Sequence, residues 1–176
     1  HDAHAICSNA AAALESLSAE DVAASLRQIA EQSLLVMHRS DAAPRYAMLN
    51  TTRAYTSARL GASDDIASLR RRHADYFVNL IDTGDAYVMP DVARQAFIEA
   101  EYDNLLAALT WSVEQGDATV ALRLTTSLWR FWEIRGDYRE GLAWFERALG
   151  LSASEDELRA RALACAGGLA RNQSQY

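Results

Sequence analysis

Two prolines and eight glycines are all that interrupt this 176-residue chain. That is too few for the many tight turns of a β-sandwich or barrel, and it leaves room for long helices. Cysteine is just as scarce. Cys7 and Cys165 stand far apart, so no disulfide framework can form, and two free thiols in a reducing compartment is the simple reading. No apolar run approaches the roughly 20 residues that span a bilayer, and no signal-peptide pattern is recognisable, so a cytoplasmic protein without membrane contact is expected. Positive charge is also in deficit: Lys and Arg total 17 against 24 Asp and Glu, for a net charge of −7. Such a chain repels phosphate backbones, and no direct nucleic-acid contact is expected of it. A Gly-x-x-x-x-Gly-Lys-Ser/Thr loop is absent, which excludes nucleotide hydrolysis from this stretch. No pair of titratable residues has the spacing of a catalytic motif, so the expectation is a chain without enzymatic activity or a cofactor of its own.

What is present is apolar and helix-forming. Half of the residues are hydrophobic, and alanine, the best helix former, is the commonest. Ser18, with Asp21 three positions on, reads as a capping box, and Val22, Leu26 and Ile29 extend a helix to about Gln32. Leu34–Arg39 and Arg45–Met48 are short β-like runs around a turn containing Pro44, which predicts a hairpin. From Asn50 onward the pattern is helical. Asn50 caps a helix ending near Gly61, and Ser63 caps the next, whose apolar stripe is Ile66, Leu69, His73, Tyr76 and Leu80. A long helix over about 91–115 carries Ile98, Tyr102, Leu105, Leu109 and Val113. Gly116-Asp117 ends it. Val120, Leu124, Leu128 and Phe131, with Trp129 and Trp132 beyond, predict a helix packed on two sides, ended by Gly136-Asp137. Tyr138, Leu142, Phe145 and Leu149 form the next stripe. After a linker at 151–154, the last helix holds Leu158, Ala162, Ala166 and Leu169.

The Gly-Asp recurrence resembles a repeat. Gly136-Asp137-Tyr138, then Gly141, Phe145 and Ala148, resemble the second helix of a tetratricopeptide hairpin, in which small residues let antiparallel helices approach and aromatics fill the gap. Trp129 departs from the family's small residue, and Ser152-Ala153 stands where proline is usual. Three further stretches resemble the winged-helix and helical-repeat region of bacterial STAND-type regulators: Arg45 to Tyr55, Arg71 to Phe77, and Glu101 to Trp111. The resemblance implies a mainly α fold. An incomplete winged helix with one β-hairpin would occupy 1–61, and tetratricopeptide-like antiparallel hairpins forming an α-α superhelix would occupy 62–176. It also implies a regulatory, protein-interaction fragment of an ATP-dependent transcription regulator. The ATPase module that binds ATP or ADP would lie upstream and be one partner, with an effector or another protein as the second. The start at His1, in what reads as the middle of an element, fits a fragment. Related switch ATPases carry a Met-His-Asp motif facing the nucleotide phosphate. Met48-Leu49-Asn50 is the aligned triplet, with leucine in place of the histidine. The alternative function is a free-standing tetratricopeptide adaptor that binds a peptide or partner protein.

Among single residues, Trp129, Arg130, Trp132 and Arg135 are the candidates for a partner-binding concave surface, beside the plainer reading of the tryptophans as core. Arg70-Arg71-Arg72 reads as a solvated face paired to acids such as Asp64 or Asp65 rather than a phosphate site. Glu99, Glu101 and Asp103 point apart on a helix and are expected in solvent. His73 reads as a core or boundary histidine. Asn104 is expected to bond a neighbouring backbone. His1, His4 and Cys7 are too few for a metal site.

Overall fold

The computed structural model describes residues 18–38, 45–60, 64–84, 90–151 and 156–174. Over these residues the chain is mainly helical, with one two-stranded antiparallel sheet. His1, His4, Cys7, Pro44, Gly61, Ser63 and the 152–154 part of the linker lie outside them. The chain divides into two compact units, 1–69 and 70–176, each described by itself.

In the first unit, helix α1 (Ala19–Glu31) starts as the sequence predicts. The Asp21 backbone N–H donates to the Ser18 hydroxyl at 3.2 Å, and the Ser18 N–H donates to the Asp21 carboxylate at 2.9 Å. The bonds to Ser18 hold the Asp21 carboxyl below its ordinary range. Strand β1 (Leu35–His38) pairs with β2 (Arg45–Met48) in the register Leu35 to Met48 and His38 to Arg45. Helix α2 (Asn50–Leu60) follows at once. The Arg53 N–H donates to the Leu49 carbonyl at 2.8 Å, so Leu49 holds the cap position and Asn50 is already helical.

The second unit is built by α3 (Asp64–Ile81, which begins in the first), α4 (Val92–Glu114), α5 (Ala118–Arg135), α6 (Tyr138–Gly150) and α7 (Glu157–Gln173). The two Gly-Asp pairs make the same turn. Gly116 and Gly136 sit at φ 71° and 78°, where a side chain would be strained. The Asp117 N–H reaches back to the Ser112 carbonyl at 2.8 Å, and the Asp137 N–H to the Trp132 carbonyl at 2.9 Å. These bonds close one helix in a Schellman arrangement. Asp117 then opens the next by accepting the Val120 N–H at 3.1 Å. Turns this short fold successive helices back on one another.

Helix α5 is the hub. It packs on α4, α6 and α7, and α6 also packs on α7. Val120, Leu124, Leu128, Trp129, Phe131 and Trp132 are all buried, so the two-sided packing read from the pattern holds. Its buried hydroxyls are satisfied within the helix: Thr125 donates to the Ala121 carbonyl at 2.9 Å and Thr126 to that of Leu122 at 2.7 Å. Trp132 is fully buried, donates through Nε1 to the Tyr102 hydroxyl at 2.8 Å, and meets Phe145 edge to face at 6.2 Å. Buried glycine lets these helices close. A Cβ on Gly141 would lie 2.7 Å from Leu169 and 2.9 Å from Trp132.

Some faces differ from the pattern. On α3 the buried residues are Ala74, Phe77, Val78 and Ile81, while Leu80 is exposed. The stripe is rotated by about one residue, because the helix follows what it packs against rather than its most regular apolar row. On α4, Glu101 is buried, with 6 % of its surface exposed, and accepts from the Asn104 amide at 2.8 Å. Glu101 is therefore not in solvent, and Asn104 bonds a side chain rather than a backbone.

Two alanine substitutions separate packing from propensity. Gly167 has open space around its missing Cβ, so Gly167→Ala is expected to stabilise the chain by about 0.5–1 kcal/mol. Gly141→Ala gains the same propensity but meets a buried indole, and a net loss of about 1–2 kcal/mol is expected. Urea midpoints of the two variants check this, and equal shifts of one sign would contradict it.

Candidate functional site

A small groove, open to solvent and enclosing about 30 Å³, lies in the second unit. Asp82, Thr83 and Pro90 line one side. Arg94 and Ile98 come from α4, Thr126, Ser127, Arg130 and Phe131 from α5, and Arg161 from α7. The local chemistry is a short segment after α3 tied down by arginines. Asp82 takes the Gly84 N–H at 2.9 Å, as an Asx turn does, and pairs with Arg123 Nε at 2.6 Å. Arg94 donates to the Ile81 carbonyl, and Arg161 donates to the Gly84 carbonyl at 2.8 Å. Burial raises the proton affinity of Asp82, but the Gly84 N–H and Arg123 outweigh it and hold the carboxyl below its usual range.

Arg130 is the sequence candidate that reaches this groove. Its guanidinium carbon lies 4.0 Å from the centre of the Trp129 ring, and its Nη1 donates to Glu133 at 2.5 Å. Its Nε is buried with no hydrogen-bond partner among the described residues. Glu133 also takes the Asn172 amide at 2.7 Å, which links α5 to α7.

The other candidates lie elsewhere. Arg135 is exposed at the end of α5, where it pairs with Glu99 of α4 and with Asp137 at 2.8 Å. Those two acids raise its already high pKa further. Trp129 and Trp132 are 4 % and 0 % exposed, so neither indole is a surface that a partner can touch. Trp132 fills the gap at Gly141, and Trp129 packs 3.2 Å from where a Gly168 Cβ would stand. Met48, Leu49 and Asn50 belong to the first unit, at the junction of β2 and α2. Met48 is half-buried with its sulfur 3.6 Å from the Thr56 hydroxyl, and Leu49 is 48 % exposed.

Sequence reasoning missed Asp82, Arg94 and Arg161, which share no local motif. It also placed Arg72 in solvent. Arg71 does pair, with Asp75 at 3.8 Å and Asp117 at 3.9 Å. The three guanidinium nitrogens of Arg72, however, are buried and form no hydrogen bond among the described residues. The His73 ring meets that of Phe77 at 4.7 Å, tilted by 52°, and burial pulls its pKa below 6.5 against the opposing field of Glu101. The Cys165 thiol is buried and pushed up to about 11 by that burial, which keeps it unreactive near neutrality. Among the described residues no helix is long and apolar enough to cross a membrane.

Two outcomes follow from these buried groups. His73 is neutral when folded, so below about pH 6.5 the unfolded chain takes up a proton that the folded chain refuses. Its contribution to stability is whole above that pH and falls as pH drops through the depressed folded value. His73→Gln is expected to flatten the denaturation midpoint between about pH 7 and 5, and a curve parallel to that of the unaltered chain would contradict it. An unpaired buried guanidinium is costly, so Arg72→Met is expected to raise stability by about 1 kcal/mol or more, read from the same urea curves.

No family model and no solved structure matches the chain. Curated proteins do match. The chain is 38 % identical over 145 residues to proteins named as HTH-type transcriptional regulators in two strains of Mycobacterium tuberculosis and in Mycobacterium bovis. The match covers 79 % of this chain and 16 % of each relative, so the chain spans about a sixth of the length of the curated relatives it matches. Its homologues carry the name of transcription regulators, and it is similar to one segment of them.

Proposed function

We propose that this chain is a non-catalytic regulatory and interaction segment of a signal-transducing transcription regulator of the STAND type. In this reading the second unit is a tetratricopeptide-like array that senses an effector or partner, and it controls an ATPase module encoded upstream. The observation that carries the reading is the similarity to named regulators along four fifths of the chain, with only a small share of each regulator covered. The packing supports it: each helix of the α5–α6–α7 set touches the other two, with a glycine at the close approach. That is how stacked hairpins bury a continuous core while leaving a face for ligands. Control would be exerted as a population shift, in which an effector that binds one packing of the segment more tightly than another biases the ATPase by that difference in affinity. The nucleotide-facing role of Met48, Leu49 and Asn50 belongs to the same reading. A cytoplasmic setting is part of it too.

The test lies in the complete gene product. A Gly-x-x-x-x-Gly-Lys-Ser/Thr loop is expected roughly 200–300 residues ahead of His1, a span suited to one large ATPase unit. Deleting 91–174 is expected to change ATP hydrolysis by about fivefold or more, the scale of ordinary allosteric coupling. A gene without that loop would sink the regulator reading and favour the free-standing adaptor.

A further inference from the structure

We propose that the groove beside Arg130 is a binding site for a small effector carrying an oxyanion, a carboxylate or a phosphate. The assignment rests on the reading of the second unit as a sensor and names the ligand class that the sensor takes.

Charge is the first argument. The chain carries a net charge of −7, yet three arginines, Arg94, Arg130 and Arg161, line this one groove. Its own acid, Asp82, is already occupied by Arg123 at 2.6 Å. Two of the arginines are held by neutral acceptors. Arg94 bonds the Ile81 carbonyl and Arg161 the Gly84 carbonyl. A carbonyl orients a guanidinium without cancelling its charge, so both cations remain available to an anion. Arg161 also pairs with Glu157 at 3.0 Å, but that carboxylate is 89 % exposed, so water screens the pair.

Arg130 supplies the second argument. A guanidinium has five N–H donors in a rigid fork. Glu133 engages Nη1, while Nε is buried and makes no hydrogen bond among the described residues. A buried donor without an acceptor costs free energy, and an oxyanion in the groove would relieve it. The fork matches two oxygens of a carboxylate or phosphate side by side. All 17 cationic side chains of the chain are arginine, so the groove relies on this planar geometry throughout. Phe131 and Ile98 give the groove an apolar wall. The enclosed part of the groove is only about 30 Å³, which limits a ligand there to a small ionic group rather than a folded partner.

The experiment uses the whole 176-residue chain and two probes, inorganic phosphate and citrate, against chloride at matched ionic strength. Saturable binding of at least one probe is expected by calorimetry, with a rise in melting temperature. Response to phosphate alone or to citrate alone tells which oxyanion the groove prefers. Arg161→Gln and Arg130→Gln are each expected to weaken that binding about tenfold or more. Arg135→Gln, outside the groove, is expected to leave it unchanged. Arg130→Gln also loses its stacking on Trp129, so Arg161→Gln carries the test if the former unfolds. Stabilisation no greater than that by chloride, or equal weakening by Arg135→Gln, would overturn the proposal. If neither ion binds while deletion of 91–174 still alters ATP hydrolysis, the ligand class is wrong and the regulator reading stands.

Discussion

Helix α6 can lie against α5 and α7 only because Gly141 presents no Cβ where the Trp132 ring and Leu169 crowd within 3 Å of that position. Trp132 is oriented by its bond to Tyr102 and by Phe145 on its edge, so one side chain joins α4, α5 and α6. Truncating a residue buried this deeply costs about 3–5 kcal/mol, a large part of the 5–15 kcal/mol that holds an ordinary domain together. Burial in turn raises the Tyr102 pKa well above its ordinary value, so the hydroxyl stays protonated and can serve the network at any physiological pH.

A tightly closed core on two sides of α5 leaves its remaining face to line the groove. There the structure gathers arginines from three helices around the segment that follows α3. Two of these arginines, Arg94 and Arg161, hold backbone carbonyls at Ile81 and Gly84 and also line the groove. Loss of Arg161 removes a tie to Gly84 as well as a charge.

Much of the fold was legible from local chemistry. The capping box at Ser18 and the Gly-Asp turns each depend on residues within about five positions of one another, and the hairpin on two short β-like runs whose nearest partners, His38 and Arg45, are seven apart, so they can be read directly. Gly141, Phe145 and Ala148 were legible as a close-packing set, and all three are buried. The reading slipped where several faces of a helix are apolar. On α3 the regular row ending at Leu80 lost to Phe77, Val78 and Ile81. Trp129 and Trp132 were candidates for contact with a partner and proved to be core. Glu101 and Arg72 broke the rule that charges stay in water, which no single-helix pattern can foresee.

The sequence by itself determined the capped start at Ser18, the helix breaks at the two Gly-Asp pairs, where the hairpin lies, and that no phosphate-binding loop is present in the stretch. Those features rest on hydrogen bonds between near neighbours and on the 3.6-residue period. Only the tertiary structure decided which faces are buried and which distant cations meet. Arg161 and Gly84 are 77 residues apart in the chain, and Arg123 and Asp82 are 41 apart. Such encounters depend on how the hairpins stack. Stacking is settled by the summed fit of many side chains, and no local motif in the chain records it.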